Sequence, residues 1–162
     1  RLYSLPEELP PLLVAVAGGS SVELAARHSD GIVGTSPVAE SVEQFRHEGG
    51  EGKPTYGQLT VCWAEDEDAA KQTALEQWPN AAISGGYAFE LTMPAHFEEA
   101  AELVDAEKVA ESVVCGPDPE RHRAAIQEYV DAGYDHVYVH QVGDDQEGFF
   151  RFYEQEILPS FG

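Results

Sequence analysis

Residues Leu12–Arg27 read LLVAVAGGSSVELAAR. Leu12–Ala17 is a short continuous apolar run, the pattern of a parallel strand buried on both faces. Gly18 and Gly19 interrupt it. Ser20 is the expected N-cap of the next helix, with Glu23 three residues on completing a capping box. Glycines at a strand-to-helix turn let backbone approach a ligand, and the free N–H groups and dipole of a helix start favour an anion. The same turn also serves as a plain connection. It matches neither complete glycine fingerprint, so the local sequence leaves both readings open.

The 162 residues, 43% hydrophobic, suffice for one domain, 1–162, with a sizeable core. Acidic residues number 30 against 9 Lys plus Arg, a net charge of −21. A chain so poor in basic residues excludes a nucleic-acid partner. The acids are spread along the sequence, as on a solvated surface, and lysine occurs only at positions 53, 71 and 108. Such a surface is expected of a protein from a high-salt cytoplasm, where ions screen self-repulsion. No apolar run approaches membrane-spanning length and no signal-peptide pattern is visible, so a cytoplasmic setting without membrane association is expected. Cys62 and Cys115 stand singly in apolar runs and are read as buried, reduced thiols. The six histidines show no metal-ligand spacing. The opening at Arg1, followed by Pro6, Pro10 and Pro11, reads as trimming or as a piece of a longer chain.

Downstream, helix Ser21–His28 gives way near Gly31 to a short strand Ile32–Gly34, which closes on Thr35–Ser36–Pro37. A helix over about Val38–His47 and a loop over Glu48–Pro54 lead to a strand at Tyr56–Ala64. Glu65–Asp68 places acids at the start of a helix that stops before Pro79. Asn80–Met93 reads as an excursion in which Tyr87, Phe89 and Leu91 alternate, and helices follow at Ala95–Val104 and Ala106–Ala110. Ser112–Gly116 is extended. A helix opening at Asp118–Pro119–Glu120 should bury Ala125, Ile126, Tyr129 and Val130 and end at Gly133. His136–His140 is the last strand, and Gly148–Leu158 the closing helix, with Phe149, Phe152 and Tyr153. The repeated strand–helix rhythm means a parallel sheet covered by helices. Four such strands cannot close an eight-stranded barrel, so the chain is either a small open α/β domain or half of a barrel.

Three segments carry a resemblance: LLVAVAGGSSVELAARHSDGIVGTSP, QLTVCWAEDEDAA, and VVCGPDPERHRAAIQEYVDAGYDHVYVHQVGDDQEGFFRFYEQEILP. Together they resemble the C-terminal half of the luciferase-like oxidoreductases, nearest the F420-dependent branch that includes glucose-6-phosphate dehydrogenase-like enzymes. The resemblance implies an α/β fold: strands five to eight of a TIM-type (β/α)8 barrel, with a helical insertion before the last unit. It implies hydride transfer between coenzyme F420 and a small organic substrate or, alternatively, an FMN-dependent monooxygenase of the same family. Val16, Ala17, Gly18 and Gly19 would hold the cofactor from one loop, and Thr35 and Ser36 from the next. Val38 and Glu111 stand where the glucose-6-phosphate enzymes place basic residues, so a non-phosphorylated substrate is expected. The family's catalytic His, Trp and Glu belong to the other half and have no counterpart here. His140, at the end of the last strand, is a candidate substrate contact or a histidine bonded to a neighbour, and Trp63 lines the pocket or packs. Association with a missing N-terminal half or a homodimer is expected, and a non-catalytic, self-associating half barrel is the reading outside enzymology.

Overall fold

The computed structural model describes residues 6–83 and 90–162. Five strands form one sheet in the order β1-β2-β3-β4, with β5 also pairing with β3. The chain divides into two compact units, Arg1–Leu59 with Ile126–Tyr138, and Thr60–Ala125 with Val139–Gly162.

In the first unit, β1 (Leu13–Val16) pairs in parallel with β2 (Gly31–Gly34), and β2 with the start of β3 (Thr55–Cys62). The Asp135 N–H donates to the Thr55 carbonyl at 3.0 Å, leading the chain into β5 (His136–Gln141). Helices α1 (Gly19–His28) and α2 (Ala39–Phe45) cover one face. Val16, Val22, Ala25, Ala26, Ile32 and Phe45 form the core there, with Val14 packed against it. The other face is open: Ala15 is exposed, and Tyr56 stacks between His136 and Tyr138 at 4.8 and 5.4 Å. The expected burial of β1 on both faces is therefore corrected. On that side of its apolar run Leu13 is only half-buried and Ala15 is exposed.

In the second unit, the end of β3 pairs in parallel with β4 (Val114–Cys115), and the Val142 N–H donates to the Val61 carbonyl at 2.9 Å. Asp66 caps α3 (Glu67–Gln77) by accepting from the Ala69 N–H. After Met93 the chain forms α4 (Pro94–Ala101), shorter than the expected Ala95–Val104, and α5 (Ala106–Ala110), as expected, so the expected insertion carries two short helices among its described residues. Tyr87 and Phe89 of the alternating trio lie outside the described residues. Cys62 and Cys115 sit opposite each other in the β3–β4 register, in a core with Ala70, Ala74, Val109 and Val113. Both thiols are free, and burial pushes their pKa values up, to about 12 for Cys62 and about 11 for Cys115.

Helix α6 (Pro119–Asp131) opens as expected, but its buried residues include His122, whereas Val130 is 45% exposed. Two other helices end differently from the expectation. After α2 the chain continues through a wide turn at Arg46–Gly50, and α7 (Gln146–Phe152) passes into a similar turn at Tyr153–Ile157.

Candidate functional site

The sequence opens α1 with glycine, and the structure shows what that achieves. Gly18 is the N-cap, in extended backbone, one residue before the helix and two before the serine expected there. Ser21 does the capping: its Oγ accepts from the N–H groups of Ala17 (3.2 Å) and Gly18 (3.3 Å) and donates to the Gly18 carbonyl (2.7 Å). Glu23 pairs with Arg27 rather than reaching back to the cap. The Ala17 and Gly18 amides are thus satisfied internally. Those of Gly19 and Ser20, at the first turn, have no acceptor among the described residues. Nothing lies within 4 Å of where a Cβ would stand on Gly18, so a ligand can lie directly on this backbone.

The turn forms one wall of a cavity of about 380 Å³ within the first unit. Val16, Ala17, Gly18, Gly19, Thr35 and Ser36, the six positions expected to hold a cofactor, all line it. Sequence reasoning missed Gly34, Ser41, Gln44 and Tyr134, which line it too. Ser41 and Gln44 had a findable signal, since i and i+3 share a helix face. The Gln44 side-chain amide donates to the Gly19 carbonyl at 3.3 Å and to Glu48 at 3.0 Å, joining α2 to the glycine turn. Glu40 is the charged member of the lining, which includes no Lys or Arg. Val38, also at the wall, is the N-cap of α2.

His140 and Trp63 belong to the second unit and are not among the residues lining this cavity. The His140 ring meets Trp78 edge-on at 5.0 Å, and its buried Nδ1 has no partner among the described residues, so the bonded-neighbour reading does not describe that atom. Trp63 is buried, with Phe152 at 5.8 Å and its ring against Gly148. Glu111 is the C-cap of α5 and pairs with Lys108. Among the described residues no cluster of His, Cys, Asp or Glu could hold a metal ion, and no helix is long and apolar enough to cross a membrane.

A family model described as luciferase-like monooxygenase matches residues 1–136. The chain is 27% identical to an F420-dependent glucose-6-phosphate dehydrogenase of Microbacterium testaceum and 29% identical to one of Kineococcus radiotolerans, in each case over 98% of this chain and 50% of the relative. It therefore spans about half the length of the curated relatives it matches. An F420-dependent secondary alcohol dehydrogenase, solved with an F420-acetone adduct, superposes with a TM-score of 0.76 at 19% identity, over 97% of this chain and 51% of that one. That likeness shows the fold, half of a TIM-type barrel.

Proposed function

The chain belongs to the luciferase-like monooxygenase family, and from that premise we propose that it is the cofactor-binding half of an F420-dependent oxidoreductase. One observation carries the reading. The two loops expected to hold the cofactor line a single cavity, and two helix-start amides there are free to donate. The residues fit the phosphodiester of an F420 tail. Gly19 and Ser20 N–H groups, with the positive end of the α1 dipole, would take its single negative charge without a lysine or arginine. The hydroxyls of Thr35, Ser36 and Ser41 supply further donors. When bound, F420 supplies a ring that accepts or donates hydride; this chain contributes its anchorage and orientation. The F420-dependent names of the relatives favour this cofactor over FMN.

The curated relatives are named for glucose-6-phosphate, so they lend no support to a non-phosphorylated substrate. Support for that narrower reading comes from Val38 and Glu111, neither of which can neutralise a sugar phosphate. The half-length match and the open face bearing Tyr56, His136 and Tyr138 support association with a complementary half, or with a second copy of this chain. Two free, buried thiols fit a reducing cytoplasm.

Fluorescence titration of the folded chain with F420, with FMN as competitor, tests the cofactor. Saturable F420 binding that FMN displaces poorly is expected, weakened about tenfold in Gly19→Asp, which adds a carboxylate beside the free helix-start amides. No saturation at millimolar F420 would overturn the proposal.

A further inference from the structure

The cavity has a wall held by a residue far away in sequence. Tyr134 precedes β5 and is 6% exposed, yet it is among the residues lining the cavity. Its hydroxyl donates to the Ser36 carbonyl at 3.2 Å, across 98 positions of sequence. That carbonyl also accepts from the Val38 N–H at 2.9 Å, so two donors fix one peptide of the Thr35–Pro37 turn. The ring has room there because residue 34 lacks a side chain. A Cβ on Gly34 would stand 2.1 Å from the Tyr134 hydroxyl.

We propose that Tyr134 is a positioning residue for the cofactor cavity, holding its Thr35–Ser36 wall in place through the Ser36 carbonyl. The ligand side of this inference rests on the F420 reading given above. Tyr134 sits under the loop, and its removal should act through the loop. A purely structural role would leave the same hydrogen bond stabilising the fold but silent toward ligand. Tyr129 supplies the matched control. It is also buried in the first unit, and its hydroxyl donates to the Gln58 carbonyl at 2.8 Å, but it is not among the residues lining the cavity.

Tyr134→Phe and Tyr129→Phe each remove one hydroxyl and keep the ring. In Tyr134→Phe the Kd for F420 should rise about threefold to tenfold, and amide hydrogen exchange should accelerate in peptides covering residues 35–38. Tyr129→Phe should change neither, while losing a comparable amount of thermal stability. Unchanged exchange at 35–38 in Tyr134→Phe, equal acceleration in both variants, or unchanged affinity in a chain that does bind F420 would overturn the inference. If the parent chain binds no F420, the cofactor reading falls, and the exchange comparison still decides whether Tyr134 holds the loop.

Discussion

His122 is a polar residue enclosed in the second unit with both ring nitrogens partnered. It is fully buried, with Nε2 3.0 Å from the Gly116 carbonyl and Nδ1 2.9 Å from the Tyr153 hydroxyl. A carbonyl can only accept, so Nε2 carries the proton and Nδ1 accepts from Tyr153. Burial holds the imidazole below its ordinary pKa, although the Gly116 carbonyl pulls the other way. The unfolded chain therefore takes up a proton near pH ~6.5 that the folded chain resists. Stability from this residue is complete above that pH and declines as pH falls below it. Melting curves between pH 8 and pH 5 should show a steeper loss for the parent than for His122→Gln, which should itself be less stable by about 1–3 kcal/mol at pH 8. Parallel slopes would reject the assignment. At the other end of the chain, Ser21→Ala should cost about 1 kcal/mol through the lost cap, read as a lower Tm. An unchanged Tm would mean that the amides of Ala17 and Gly18 find water equally well. The sequence marked the glycine turn but not its capping serine. Two adjacent serines look alike until the backbone of Gly18 sets where the first turn begins.

Elements were more legible than the residues that face them. The Asp118–Pro119–Glu120 start and Gly133 located α6, but Val130 was assigned to its buried stripe and His122 was not. The observed set, His122, Ile126 and Tyr129, follows the i, i+4, i+7 spacing of an amphipathic face. A histidine inside that stripe reads as polar until Tyr153 and Gly116 supply its partners. The run at β1 looked buried on both sides because composition cannot show which side has no neighbour. The six cavity positions in the Gly18 and Thr35 loops could be read because strand ends and glycines are local signals. Tyr134 could not, as nothing near it in sequence points to Ser36. Glycines within elements prove to be packing devices. A Cβ on Gly57 would lie 2.3 Å from the Tyr129 ring, and one on Gly148 would lie 2.3 Å from the Trp63 ring. Gly57→Ala and Gly148→Ala should each lower the free energy of unfolding by about 1–3 kcal/mol in urea titrations, because neither ring has an easy way to retreat. A loss below the error of the titration would show that the rings move freely.

For the molecule as a whole, charge is the dominant fact. Thirty acids against nine basic residues repel one another at low ionic strength. Added salt shortens the screening length from about 10 Å at 0.1 M to about 3 Å at 1 M. The Tm should rise steadily as KCl is raised from 0.1 M to about 2 M; a flat or falling curve would count against a high-salt setting. The strand–helix rhythm made the parallel α/β sheet legible and left an open domain or half a barrel as the choices; the resemblance to the luciferase-like family pointed to the half barrel. What lies against that sheet is not written in these residues. The fit of Tyr134 over Gly34 reaches further than the cavity. Since one partner is shaped by what the other lacks, descent should treat the two positions as a single heritable character. A lineage that acquires a side chain at position 34 must trim or redirect the ring at 134 in the same step, and intermediates carrying one change alone should be rare.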